Sequence, residues 1–231
     1  MSASTFSGFS PSLVKFLTQL RRNNNREWFQ ENKHRYESVV LEPALQFISA
    51  MDEHLARFAP HFVAIPKRMG GSLMRVYRDT RFSKDKTPYK TNVGIQFRHE
   101  LGRDVHAPGY YFHIDPDQVF LGVGMWHPAS DALARIRDAI VDNPGAWKRA
   151  RGHKAFRARF ELSGESLARP PRGYDKDHPC IEDLKRKDFI AVMTLTHAQI
   201  RDRSVVRNVA GLYKSATPFM RFLCKANDVQ F

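Results

Sequence analysis

Leu13, Phe16, Leu17 and Leu20 recur at i, i+3, i+4 and i+7 directly after Ser10-Pro11. That period marks one buried face of a helix. Serine as cap and proline in the first turn mark its start. Asn23-Asn24-Asn25 ends this helix and caps a second, over about 26–41, whose apolar side carries Trp28, Phe29, Tyr36 and Val40. Pro43 breaks or restarts it, and Leu45, Ile48, Met51 and Leu55 carry the helical period on to about Phe58. The period then changes. Val93, Ile95 and Phe97 alternate with Gly94, Gln96 and Arg98, as in a half-buried strand. Short strands are predicted over 73–78, 91–98, 109–114, 119–126 and 189–195. Asp115-Pro116-Asp117-Gln118 is a tight connection, so 109–114 and 119–126 should pair as an antiparallel hairpin.

After His127-Pro128, Leu133, Ile136 and Ile140 share a helix face, which Asn143-Pro144-Gly145 ends. A basic helical piece follows over about 146–160. Residues 163–187 read as irregular, with Pro170-Pro171, Gly173 and Pro179. A last helix is predicted over about 203–223. Strands grouped in the middle with helices on either side give an α+β fold with a mainly antiparallel sheet of about five strands. A chain of 231 residues with this order and no linker reads as one domain, 1–231. Within it, N-terminal helices fill about 10–58 and the central sheet about 73–126. Helices and a loop fill about 128–187, and the last strand and C-terminal helix about 189–223.

Composition adds a packed core, at 42% apolar and 12% aromatic residues. The two cysteines, Cys180 and Cys224, imply neither a disulfide framework nor a zinc ribbon. The start of the chain does not read as a signal peptide. The longest apolar run, 119–126, is far shorter than the roughly 18 residues of a spanning helix. A soluble, cytoplasmic protein with no membrane partner is expected.

Charge changes the picture more. The formal net charge is +13. Two windows, 67–90 and 143–160, hold nearly all of it. The second carries Lys148, Arg149, Arg151, Lys154, Arg157 and Arg159 with no acid. Clustering of this kind favours an anionic partner, either a phosphate- or carboxylate-bearing ligand or nucleic acid.

The first window contains the best candidate site, Arg75-Val-Tyr-Arg78-Asp79-Thr-Arg81-Phe82-Ser-Lys84-Asp85-Lys86-Thr-Pro-Tyr89-Lys90. Its charges alternate in sign and are interleaved with aromatics. On a strand, Arg75 and Tyr77 would share one face, opposite Met74 and Val76. Asp79 and Asp85 can pair with some of the cations. The others would then be available to an anion, with Arg75, Arg78, Arg81, Lys84, Lys86 and Tyr89 as ligand-binding candidates. A second constellation is Arg172-Gly173-Tyr174-Asp175-Lys176-Asp177-His178-Pro179. If it folds back over 75–89, Arg172 and Tyr174 join the same cleft. Asp79, Asp85, Asp175 and His178 are the candidates for proton transfer. The bland alternatives are an ion-pair network that fixes a loop, and Asp and His serving turns. Asp175, Asp177 and His178 could also hold a divalent metal that assists an enzyme; no other metal site and no particular cofactor is implied. His99, His106 and His113 recur every seven residues, but Pro108 and the strand pattern keep them off a common helical face. His113, between Phe112 and Ile114, faces away from both and reads as a hydrogen-bonded sheet residue.

The run Arg75-x-x-Arg78-Asp79-x-Arg81-Phe82-x-x-Asp85-Lys86-x-x-Tyr89 resembles the signature of the family known as domain of unknown function 2461, found in bacteria and some fungi. Phe6-Ser-Gly-Phe9, Asn32-Lys33, Tyr36, Gly109-Tyr110-Tyr111 with His113, and the 170–179 stretch extend the resemblance over nearly the whole chain. It implies a single domain and a special role for the Arg/Asp run, and names no substrate. Three functions stay open: a binding module for an anion, an enzyme acting on a phosphorylated or carboxylated substrate, and a structural or protein-interaction role.

Overall fold

The computed structural model describes residues 6–102 and 107–231. Helix α1 (Pro11–Arg22) starts where Ser10 accepts a hydrogen bond from the Ser12 N–H at 3.2 Å. The three asparagines divide their work. Asn23 caps the end of α1, and Asn25 caps α2 (Arg26–Glu31) by accepting from the Trp28 N–H at 2.9 Å. A short α3 (Lys33–Tyr36) runs into a wide π turn (Glu37–Leu41) and then α4 (Glu42–Phe58). Pro43 therefore opens α4 rather than breaking a helix, because its missing N–H falls in the first turn.

Five strands make one antiparallel sheet: β1 (Val93–Arg98), β2 (Gly109–Ile114), β3 (Val119–Met125), β4 (Glu161–Ser163) and β5 (Phe189–Leu195), in the order β1-β2-β3-β5-β4. The expected hairpin is there, with Tyr111 opposite Gly122 and His113 opposite Phe120. The expected strand over 73–78 is not. Its backbone is extended but changes partner midway. Ser72 and Met74 hydrogen-bond to Gln96 and Gly94 of β1, whereas Val76 and Arg78 bond to Lys90 and Pro88 of the chain's own return. The fifth strand is instead β4, between the expected basic helix and the stretch expected to be irregular, where Glu161 and Ser163 pair with Val192 and Ile190.

The remaining helices are α5 (Ser130–Asp142), α6 (Pro144–Gly152), α7 (Lys154–Arg157), α8 (Ile181–Leu184), α9 (His197–Arg201), α10 (Val205–Ser215) and α11 (Thr217–Ala226). The single last helix of the sequence reading is thus two, with Pro218 in the first turn of the second. The basic helix likewise divides between α6 and α7.

The core lies on one face of the sheet. Phe97, Phe112 and Phe47 of α4 meet there, ring against ring. Trp147 of α6, Phe189 and Phe219 of α11 form a second aromatic centre. Strand alternation sends the other residues to the opposite face. Gly94 and Gln96 of β1, Tyr111 and His113 of β2, Phe120, Gly122 and Gly124 of β3, and Ile190 and Val192 of β5 stand there. This is a two-layer α+β domain, with helices against one sheet face. Among the described residues no helix is long and apolar enough to cross a membrane.

Candidate functional site

The Arg75–Lys90 segment is an arm that leaves the β1 edge and returns to it. Its return is fastened by Asn24, whose side-chain amide exchanges two hydrogen bonds with the Tyr89 backbone, at 2.9 and 3.0 Å. Tyr89 is buried and stacks on Phe29 at 4.0 Å. Its ring belongs to the core, which corrects its assignment as a ligand-binding residue. Tyr77 is half exposed beside both rings.

Much of the arm's charge is satisfied internally. Arg78 donates to the Asp85 carboxylate and the Thr87 hydroxyl. Arg81 grips Asp79 with two parallel hydrogen bonds, at 3.0 and 2.7 Å. Lys86 donates to the Thr80 carbonyl at 2.8 Å. Hydrogen bonds from Arg81 hold the Asp79 carboxyl down at about 2. The Thr87 N–H and Arg78 do the same for Asp85, also at about 2. Both acids are therefore ionised anchors for arginine rather than proton shuttles. Arg75 and Lys84 have no hydrogen-bond or ion-pair partner among the described residues, and both are exposed. Lys90, half-buried, has none either. Burial, with the charge of Arg75 second, pushes its pKa down. Uncompensated positive charge thus survives at Arg75 and Lys90, beside the sheet edge, and at Lys84 out on the arm.

The second constellation does not join the first. Tyr174 donates to Asp138 of α5 at 2.8 Å. Helix α5 is tied to the β5 side by Arg137, which donates to the Leu184 and Arg186 carbonyls. The arm lies at the β1 edge and this loop at the β4–β5 edge, four strand spacings or roughly 19 Å away. No hydrogen bond or ion pair joins them among the described residues, so the expected shared cleft is absent. Asp175 accepts from the Asp177 N–H, and His178 from the Cys180 N–H. Both are turn residues, and Arg172 is an exposed cation on the same loop. Among the described residues no group of three or more His, Cys, Asp or Glu is placed to hold a metal. His99 is buried with Nε2 2.7 Å from the Gln230 carbonyl oxygen, and His106 lies outside the described residues.

The sheet face away from the helices carries what the sequence reading passed over. A cavity of about 480 Å³ opens there, lined by sheet and loop residues and by no helix. That size suits a small molecule. Its walls are mostly apolar, including Met74, Phe120, Trp126, Ile190 and Val192, with Gln96, Tyr111 and Ser163 as polar points. Gly122 lines it, and Gly94 gives room to two of its lining side chains. A Cβ on Gly94 would stand 2.9 Å from the Tyr111 hydroxyl and 3.0 Å from the Met74 sulfur.

From this wall a chain of hydrogen bonds runs along β2. Tyr111 Oη lies 3.0 Å from His113 Nδ1, and His113 Nε2 lies 2.9 Å from Asp115 Oδ2. Tyr111 and His113 are i and i+2 on β2, so the pleat puts them on one face, and Asp115, just past the strand end, is set on the same side by its turn. A carboxylate accepts only, so in the neutral imidazole Nε2 carries the proton and Nδ1 accepts from the tyrosine. Asp115 is fixed in turn by the Asp117 and Gln118 N–H groups at 2.7 and 2.9 Å. His113 stacks on Phe120 at 4.6 Å. Burial, helped by the Asp115 charge, pushes the Tyr111 phenol up to about 12. It is therefore a neutral hydrogen-bonding group at ordinary pH. The sequence signal for this set was present as Tyr111-x-His113-x-Asp115 with glycines facing it on β1 and β3.

A family model described as "Conserved hypothetical protein (DUF2461)" matches residues 12–222, and the chain belongs to that family. No curated protein and no solved structure matches it.

Proposed function

We propose that this protein binds a small anionic molecule, with a phosphate or carboxylate at one end and an apolar body, on the uncovered face of its sheet. The carrying observation is the cavity of about 480 Å³ whose apolar wall is broken by the Tyr111 hydroxyl. Arg75, next in the chain to the cavity-lining Met74 but not itself in the lining, and the neighbouring Lys90 leave unpaired positive charge at the β1 edge, beside the cavity. Arg78 and Arg81 are engaged by Asp85 and Asp79, so they shape the arm and Arg75 carries the attraction.

Trp126 lines the cavity and is half exposed, so it reports occupancy. Titrating aliphatic and aromatic carboxylates and phosphate monoesters against the intrinsic fluorescence should give saturable changes with the anions. Their neutral amides or alcohols should give none, and Arg75→Ala should weaken binding by about tenfold, the effect of one lost charge-assisted contact. Equal responses from charged and neutral compounds would remove the anion reading.

A second reading, nucleic acid, is favoured by a separate observation. A cavity of about 750 Å³ is bordered by Arg57, His153, Arg159, Lys214 and Arg221, with no Asp or Glu in its lining. Neutralised phosphates release counterions, so affinity for single-stranded DNA should fall steeply with salt. Arg159→Ala with Lys214→Ala should flatten that slope by about two. Salt-independent anisotropy would dispose of this reading.

A further inference from the structure

We propose that Tyr111, His113 and Asp115 form a proton relay, and that Tyr111 Oη exchanges a proton with the molecule held in the cavity. The inference rests on the ligand reading above. It adds a reaction to it.

The geometry has the parts that such a relay needs. The outer group, Tyr111, lines the cavity. The middle group, His113, is 3.0 Å from it and is shielded by Phe120 on its ring face. The inner group, Asp115, is 2.9 Å further on and is locked by two backbone N–H groups. His197 donates to the Asp115 carbonyl at 2.8 Å, which holds the turn itself. Gly94 leaves room for the phenol where any side chain would press on it.

The cavity also suggests the substrate class. A carboxylate suits the positive charge of Arg75 and Lys90 at the β1 edge outside the lining, an aliphatic body suits Ile190, Val192 and Phe120 within it, and the relay needs an acidic proton. A 2-oxo acid with an apolar side chain combines these. In the step, the C3–H bond breaks and its electron pair moves into a C2–C3 double bond, while the carbonyl pair moves onto oxygen. The proton passes to Tyr111 Oη as the tyrosine's own proton passes to His113 Nδ1. The resulting imidazolium lies against the Asp115 carboxylate. The reverse sequence returns a proton to carbon. No oxidant, reductant or second substrate is consumed, and the net result is exchange of the C3 proton through an enolate.

The test uses the full chain and 4-methyl-2-oxopentanoate in D₂O, following loss of the C3 proton signal by NMR and binding by Trp126 fluorescence. Wild type should exchange those protons about 100-fold or more faster than buffer, the ordinary range for a positioned acid–base group. Tyr111→Phe should lose that acceleration when compared at saturating ligand, with binding still visible by Trp126 fluorescence. His113→Gln, which acts through Tyr111, should lose most of it and also keep binding. Binding by wild type with exchange at the buffer rate would overturn the relay and leave the ligand site standing. So would full exchange in Tyr111→Phe. Absence of binding would remove the ligand site for this class, and the relay with it.

Discussion

Asp79 and Asp85 show how two residues can set the use of a whole charged run. Each is held near 2 by hydrogen bonds, from Arg81 for Asp79 and from the Thr87 N–H and Arg78 for Asp85. A depressed carboxyl contributes its pairing above its unfolded value and loses it as pH falls through the folded one. The arm should therefore keep its ion pairs across the ordinary carboxylate range and release them only on approach to pH 2. Side-chain carboxyl NMR should show both aspartates titrating well below the ordinary carboxylate range, and midpoints inside that range would contradict the pairing. Gly94 makes a different kind of prediction. In Gly94→Ala the new methyl meets the ends of flexible side chains, so stability should change by less than about 1.5 kcal/mol. Ligand response at Trp126 should nevertheless weaken by about tenfold or more, because the Tyr111 hydroxyl and the cavity floor must move. Gly124 is the contrast. Its φ is +116° and a Cβ would stand 2.0 Å from the Phe189 carbonyl oxygen. Gly124→Ala should unfold at clearly lower temperature.

At the scale of elements, Asp188 is the joint that holds three segments together. It is 1% exposed and accepts from the His127 N–H at 2.7 Å and the Glu165 N–H at 2.8 Å. The end of β3, the chain after β4 and the start of β5 thus share one carboxylate. Asp188→Ala leaves two shielded N–H groups without partners and should cost about 2–3 kcal/mol in urea unfolding. A change under half that would mean water replaces it. The same scale shows what could be read from the letters. The alternating apolar residues of β1, β2, β3 and β5 and the capped start of α1 were legible, because each follows from local period and cap chemistry. The 73–78 segment has strand composition, yet its hydrogen-bond partners switch from β1 to residues 88–90, and pairing of that kind is not a local property. Asn24 likewise looks like a helix stop, and its role as a clamp on Tyr89, 65 residues away, appears only in three dimensions.

Over the whole molecule, placing helices on one side of the sheet decides which residues can meet a ligand. The candidate arm was legible as charge, and its neutral pairs were foreseeable from the interleaved aspartates. The uncovered face was not legible. His113 was legible as facing away from Phe112 and Ile114, but that alternation is the same whether a second layer covers it or not, and Tyr111 and Asp115 were not singled out. For the same reason the loop around Asp175 and His178 could not be placed from sequence, and it lies at the far edge. The two basic windows also separate in space. Most cations of the first lie on the arm at the β1 edge, and Arg159 of the second borders the groove with Lys214 and Arg221.

The most direct measurement is backbone amide NMR of the uniformly labelled chain during titration with 4-methyl-2-oxopentanoate. The account predicts saturable shifts centred on Gly94, Tyr111, Gly122 and Gly124, with Arg75 following. Shifts confined to exposed lysines and arginines away from the sheet, or none at concentrations where Trp126 fluorescence changes, would contradict it.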